Sequence, residues 1–200
     1  MLDLPLEQLT AIVLAGGRGQ RMGLQNKGLL PFRGQALVAH VIARLRKQAT
    51  RIVISANDEL AAYAQFGYPV IEDQVAGYAG PLAGIHAVMQ RQPSEWYITA
   101  PCDTPFLPMD YVARMLAARQ GHRTCVAHDG QRQQSGCCLI HYSLLPALEQ
   151  SLQRRHFAVY RWLRDTGTNL VDFSDVGEAF TNINSPEDLQ QIATRTDEHD

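Results

Sequence analysis

Ala11-Ile12-Val13-Leu14-Ala15-Gly16-Gly17-Arg18-Gly19-Gln20-Arg21-Met22-Gly23 opens on an unbroken apolar run and continues into a segment with four glycines in ten positions, Leu14 through Gly23. A short apolar run bounded by glycine reads as a buried strand. Its exit then lies at the carboxyl edge of a sheet, where open α/β folds bind their ligands. Glycine carries no Cβ, so bare N–H groups can approach phosphate oxygens closely. Arg18, Arg21 and Lys27 surround those glycines with positive charge, which suits a polyphosphate. The stretch is not a Walker loop, because Gly-Lys-Ser/Thr occurs nowhere in the chain. The dinucleotide fingerprint also fails, since Met22 stands where its third glycine belongs. The plainer alternative is a flexible turn.

Outward from this stretch, β-branched apolar runs alternate with segments of helical period, the pattern of a parallel sheet with crossover helices. Leu37, Val41, Ile42 and Leu45 recur at helical spacing, and strands follow at 51–54, 70–71 and 96–99. Helices are expected over 82–90 and 109–119. Residues 124–127 and 138–140 flank the turn-forming Asp129-Gly130 and read as a less regular, partly antiparallel insert. Ser185-Pro186-Glu187-Asp188, ahead of Leu189 and Ile192, starts a closing helix with a cap and a first-turn proline. No repeat or linker divides the chain, so residues 1–200 are expected to form a single domain with a frayed tail at about 196–200.

Composition narrows the function classes. Two hundred residues that are 46% hydrophobic and 19% charged suffice for one core that hides roughly 70% of the surface of the unfolded chain. A formal charge of -2 leaves no basic excess for a phosphate polymer, which excludes a general nucleic-acid binder. Sixteen of the 18 basic side chains are Arg, so Lys27, in a loop, stands out against Lys47 as its single companion. Cys102, Cys125, Cys137 and Cys138 show no C-x-x-C spacing and read as buried free thiols in a reducing compartment. The apolar run at 11–15 is too short for a signal-peptide core, and no stretch approaches the roughly 20 residues that span a bilayer. A cytoplasmic protein with no membrane partner is the expectation.

Further candidates share the expected sheet edge. Asp103 follows the 96–100 strand, where one carboxylate suffices for magnesium shared with phosphate oxygens and water; a helix cap or turn former is the plainer reading. Asn57 and Asp73 end the second and third strands and reach for a base or ribose, although each type is also a common turn residue. Gly80-Pro81-Leu82-Ala83-Gly84 places a proline and small residues at a helix start, close to a ligand or simply initiating the helix. Asn182 and Asn184 flank Ile183 and alternate onto one face. The seven histidines have no metal-ligand spacing.

The series from Leu14 through Lys27 to Pro31 resembles the signature of GT-A-fold nucleotidyltransferases, with its Leu-Ala-Gly-Gly start, Arg21-Met22-Gly23 and Lys27-Gly28-Leu29-Leu30 close. The likeness continues through Ile71-Glu72-Asp73, the Gly80 to Gly84 block, Pro101-Cys102-Asp103-Thr104-Pro105, His128-Asp129-Gly130, Val171-Asp172-Phe173-Ser174-Asp175 and Asn182-x-Asn184-Ser185-Pro186. Together these blocks most resemble the molybdenum cofactor guanylyltransferases. The resemblance implies a single Rossmann-like α/β domain with a mostly parallel sheet. It further implies magnesium-dependent transfer of GMP from GTP to molybdopterin or molybdenum-molybdopterin, forming the guanine dinucleotide cofactor and releasing pyrophosphate. Leu14, Ala15, Gly16, Gly17, Lys27, Ser55, Asn57, Asp73 and Asp103 would then bind the nucleotide. Lys27, Arg21 and Asp103 would be catalytic, with Asp103 the Mg2+ ligand, and Gly80, Pro81, Asn182 and Asn184 would face the pterin. Transient contact with molybdenum-insertion proteins or molybdoenzyme chaperones would fit such a role. Ser55 stands where the family usually has Asn, and Ser135-Gly136 replaces a proline-containing segment. Two rivals stay open, the same fold with another substrate pair, such as cytidylyl or sugar-phosphate transfer, and a non-catalytic carrier of the pterin.

Overall fold

A computed structural model describes residues 8–16, 26–73, 75, 80–183 and 188. Strand β1 (Leu9–Leu14) is followed by a small hairpin of β2 (Pro31–Phe32) and β3 (Gln35–Ala36), then by helix α1 (Leu37–Leu45). The next elements are β4 (Arg51–Ser55), α2 (Leu60–Ala64), β5 (Val70–Ile71), α3 (Pro81–Arg91), β6 (Trp96–Pro101) and α4 (Tyr111–Ala117). The second half adds β7 (Thr124–His128), β8 (Gln133–His141), α5 (Leu145–Gln153), α6 (Val159–Asp165) and β9 (Asn169–Asp172), before a 3-10 stretch over Ser174–Phe180.

Among the described residues the main sheet has seven strands in the order β5-β4-β1-β6-β8-β7-β9. The β5-β4-β1-β6 half is parallel throughout, as the alternation of apolar runs with helical segments predicts. Side chains alternate across each strand, so helices must cover both faces. Leu9, Ala11 and Val13 join Ile52, Ile54, Trp96 and Ile98 under α1 and α4. Ile12 joins Val53 and Tyr97 on the opposite face, under α3, α5 and α6. Gly80 caps α3 at φ 68, a left-handed conformation that glycine adopts without strain, and Pro81 takes the first helical turn.

The less regular, partly antiparallel region expected over 124–127 and 138–140 is present: β8 pairs antiparallel with both β6 and β7 and extends the main sheet. Its apolar residues are used on both faces, Cys137 and Leu139 on one, Cys138 and Ile140 on the other. The irregularity is a register shift between Val126 and Ala127, a bulge that bends the strand locally. The helix expected over 109–119 runs only over Tyr111–Ala117, since Met109 and Asp110 precede it as a turn closed by Tyr111 N to Pro108 O, and Ala118 ends it. The cysteine expectation holds, with all four side chains free and buried. The start of the closing helix at Ser185-Pro186 lies outside the described residues, as does the tail.

Candidate active site

From β1 the chain moves to β4 and β5 on one side, then crosses to β6 on the other. The strand order therefore reverses between β1 and β6, and the crevice beyond their carboxyl ends is where open α/β sheets take ligands. Register puts Leu14 level with Ser55 and Pro101. Two backbone bonds extend the pairing past the strand ends, Ala15 N to Ser55 O at 2.8 Å and Cys102 N to Leu14 O at 3.0 Å. Gly16 and Asp103, 87 positions apart in sequence, thus emerge side by side.

Lys27 reaches the same point on a 3-10 turn, Lys27–Leu29. Gly28, at the centre of the turn, is buried. A Cβ on it would lie 2.4 Å from Tyr63 Oη and 3.2 Å from Cys102 Sγ, so a larger residue would lift the turn off its bed. Seated there, Lys27 donates through Nζ to Asp103 Oδ2. The two side chains are 19% and 14% exposed. The other carboxylate oxygen, Asp103 Oδ1, is buried with no hydrogen-bond partner among the described residues, an unusual state for a charged acceptor. The Asp103 carbonyl accepts from Ile183 N at 3.0 Å, and Thr104 Oγ1 donates to Pro101 O at 2.8 Å. The loop that carries the carboxylate is therefore braced on both sides.

A cleft of about 320 Å³ opens over this pair. Of the residues expected from sequence, Leu14, Gly16, Lys27, Ser55, Asp73, Gly80, Pro81 and Asp103 all line it. Ala15 is buried beneath and bonds Ser55. Asn57 is spent on Asp73 and does not line the cleft: its Nδ2 donates to Asp73 Oδ2 and its Oδ1 accepts from Asp73 N at 3.0 Å. It holds the carboxylate that faces the ligand space. Asp73 Oδ1 also accepts from Val75 N at 3.2 Å. Gly17, Arg21 and Asn184 lie outside the described residues.

The four expected pterin residues are not all together. Gly80 and Pro81 border the Lys27 and Asp103 cleft, whereas Asn182 lines a second, polar cleft of about 720 Å³ between the β7–β8 turn and the 174–181 segment. The next residue, Ile183, donates its N–H to the Asp103 carbonyl and lines neither cleft.

Two glycines shape the cleft by close approach, a role that sequence reasoning did not assign to them. A Cβ on Gly84 would come 2.1 Å from Ser55 Oγ, and one on Gly136 would come 2.5 Å from Pro101 Cγ. Gly84 belongs to the small-residue block at the α3 start, which signals close approach; Gly136 is marked in sequence only as part of Ser135-Gly136, and its packing partner Pro101 lies on another strand. Cys102 also lines the cleft. Burial, with the Asp103 charge adding to it and Lys27 opposing, pushes its thiol up to about 12, so at neutral pH it is a protonated filler and not a nucleophile.

Among the described residues no group of three or more His, Cys, Asp or Glu side chains gathers as a metal cage. One carboxylate with an unpartnered oxygen fits magnesium nonetheless, since that ion takes one or two carboxylates plus phosphate oxygens and water.

The MobA-like NTP transferase domain family matches residues 11–169 of the chain. The molybdenum cofactor guanylyltransferase of Shewanella frigidimarina is 38% identical over 190 residues, covering 94% of this chain and 97% of that protein. That of Pasteurella multocida is 42% identical over 183 residues, covering 90% and 97%. Among solved structures, molybdopterin-guanine dinucleotide biosynthesis protein A from Archaeoglobus fulgidus superposes with a TM-score of 0.76 at 20% identity, over 93% of this chain and 99% of that one. A CMP:2-keto-3-deoxy-manno-octonic acid synthetase solved with CTP has a TM-score of 0.69 at 13% identity, over 95% and 98%. These likenesses give the GT-A type of nucleotidyltransferase fold.

Proposed function

Because the chain belongs to the MobA-like NTP transferase family, with molybdenum cofactor guanylyltransferases as its full-length relatives, we propose that it transfers GMP from GTP to molybdopterin and releases pyrophosphate. The observation that carries this reading is the Lys27–Asp103 pair, with its unpartnered Oδ1, at the β1/β6 crevice.

In the proposed reaction a terminal phosphate oxygen of the pterin attacks the α-phosphorus of GTP. That P–O bond forms as the bond to the α,β-bridging oxygen breaks, and pyrophosphate leaves with the electron pair. The attacking phosphate is already ionised, so no general base is needed. Positioning and charge neutralisation then carry most of the catalysis. Lys27 shares charge with the α-phosphate, while the backbone at Gly16, continuing into Gly17, approaches the triphosphate and Arg21 adds a cation. Mg2+, held by Asp103 together with phosphate oxygens, would neutralise the charge that develops on the leaving pyrophosphate. Gly80 and Pro81 at the α3 start, together with Asn182 and Asn184, are the proposed pterin-facing residues. A cytoplasmic location and transient docking with molybdenum-insertion proteins or chaperones belong to the same proposal.

Base choice follows from acceptors. Guanine presents N1–H and N2–H₂ as donors, whereas adenine and cytosine offer ring acceptors at the corresponding edge. Leu14 O, Asn57 Oδ1 and both Asp73 oxygens each accept one donor within the protein, and of these the Asp73 carboxylate, charged and with lone pairs to spare, is the strongest acceptor facing the cleft. A wrong base covers its remaining lone pairs without supplying a donor, at roughly 1–3 kcal/mol for each misfit. With purified molybdopterin, GTP is therefore expected to be used well and ATP and CTP much less, with the preference narrowing in Asp73→Ala. Equal kcat/KM for CTP and GTP overturns the guanylyl assignment and promotes cytidylyl transfer. Absence of pyrophosphate release with every nucleotide favours the carrier.

A further inference from the structure

Tyr63 lies in α2, on no strand end and in none of the blocks that mark the site, yet it is fully buried directly beneath the Lys27 turn. Its hydroxyl donates to Asn26 Oδ1. Asn26 is the residue that enters the turn, and its carbonyl accepts from Leu29 N at 3.0 Å. Main chain and side chain of Asn26 are thus both tied. The same Tyr63 oxygen lies 2.4 Å from the position a Cβ of Gly28 would take, so the phenol borders the residue before Lys27 and the residue after it. Cys102 Sγ and Cβ lie 3.2 and 3.3 Å from the same Gly28 Cβ position and close the bed beside the phenol. We propose that Tyr63 is a positioning residue for the transfer reaction: its hydroxyl, through Asn26, fixes the backbone that carries Lys27 to Asp103.

The geometry explains why a phenol and not a phenyl ring is used there. A Phe ring would fill the same space and keep the packing against Phe66, whose ring centroid is 6.5 Å away. It would leave Asn26 Oδ1 without its donor and the entrance to the turn untied. Lysine is a long lever, so a small change in its backbone becomes a larger one at Nζ, and misplacement by about 1 Å can cost a hundredfold in rate. Burial pushes the Tyr63 pKa up, with Cys102 adding to the rise and the Asn26 bond opposing it. The hydroxyl therefore remains a donor throughout the physiological range. Asn26 needs only an acceptor oxygen, so Asn26→Asp preserves the bond while Asn26→Leu removes it.

This inference rests on the proposed guanylyl transfer for its kinetic arm, and a second arm reads Lys27 without any activity. The kinetic arm compares Tyr63→Phe, Asn26→Leu, Asn26→Asp and the Tyr63→Phe/Asn26→Leu double variant with GTP, magnesium and molybdopterin. Each removal is expected to lower kcat about tenfold with little change in KM for GTP. The double variant should be no worse than either single one, and Asn26→Asp should stay near the unmodified protein. The second arm uses protein labelled with ¹³C at lysine Cε, which holds just two lysines, Lys27 and Lys47, told apart with Lys47→Arg. Tyr63→Phe should displace the Lys27 signal and leave that of Lys47 in place. A Lys27 signal unmoved by Tyr63→Phe, or losses that multiply in the double variant, overturns the positioning role. An inactive unmodified enzyme overturns the proposed function instead, and the lysine spectrum then decides the role of Tyr63 alone.

Discussion

Asp103 is the residue at which charge and shape can be separated. Asn at this position keeps the size and the backbone bond to Ile183 N, but a neutral amide holds magnesium poorly and offers Lys27 an acceptor without the opposite charge. Asp103→Asn is expected to keep its fold by circular dichroism while turnover falls about a thousandfold, equivalent to ~4 kcal/mol of lost transition-state stabilisation. Near-normal turnover at saturating magnesium would remove the carboxylate from the proposed chemistry. Lys27→Arg makes the complementary test, conserving charge and changing shape. The ammonium is a compact point charge fitted against Asp103, whereas the planar guanidinium needs more room over a turn already seated on Tyr63 and Cys102. Its kcat is expected to drop at least tenfold, and full activity would reduce Lys27 to a source of surface potential. Both residues were legible in the sequence because each stands at a break between an apolar run and a loop, where types with few other uses are conspicuous. Asn57 was legible as a position but not in its role, since the Asp73 that occupies its amide lies 16 residues away. Tyr63 carried no mark at all, being an aromatic residue in a short helix whose contact with Asn26 spans 37 positions.

Between elements, glycine decides how closely two segments can approach. Gly177, in the 3-10 stretch, lies against the β7–β8 turn, where an added Cβ would come 2.3 Å from the Asp129 carbonyl oxygen. Backbone cannot rotate aside as a side chain can. Gly177→Ala is therefore expected to cost about 1–3 kcal/mol through overpacking, read as a lower midpoint in urea with an unchanged slope. The same substitution at Gly84 meets a serine hydroxyl, which another rotamer can move, so its cost should be smaller. A larger loss at Gly84 than at Gly177 would contradict this account. The turn also depends on Asp129, whose carboxylate accepts from Gln131 N at 2.8 Å, Arg132 N at 2.7 Å and Gln134 Nε2. Asp129-Gly130 was readable as a turn because that chemistry is local. Its partner surface was not, since residues 174–180 are brought there by β9, a four-residue edge strand whose Leu170 is 55% exposed and breaks the buried pattern. The parallel half was readable because its strands are apolar on both faces. The antiparallel half mixes half-buried polar residues with a bulge, and its order is set by pairings the sequence does not announce.

For the whole molecule, the same layered core that builds the crevice also disposes of the thiols. Cys125 and Cys137 enter the layer under α1 and α4, Cys138 the opposite one, and Cys102 ends β6 at the cleft. Burial pushes Cys125 up to about 11 and Cys138 up to about 12, and it raises Cys137 as well; Arg119 opposes the rise at Cys125. The thiolate is the reactive form, so raised values and close packing act together to suppress reaction. At pH 8 the folded protein is expected to release almost no colour with a disulfide reagent over the time in which the unfolded chain in guanidinium titrates all four cysteines. Cys102 should be the first to react as the pH rises, because it alone faces the cleft, and GTP with magnesium should slow it if the nucleotide covers that wall. The fold by itself does not set the choice of base, since a synthetase solved with CTP shares the architecture at 13% identity. A thiol that reacts within seconds in the native protein at pH 8 would show that the core opens locally, and reaction of Cys125 ahead of Cys102 would place that opening in the antiparallel half.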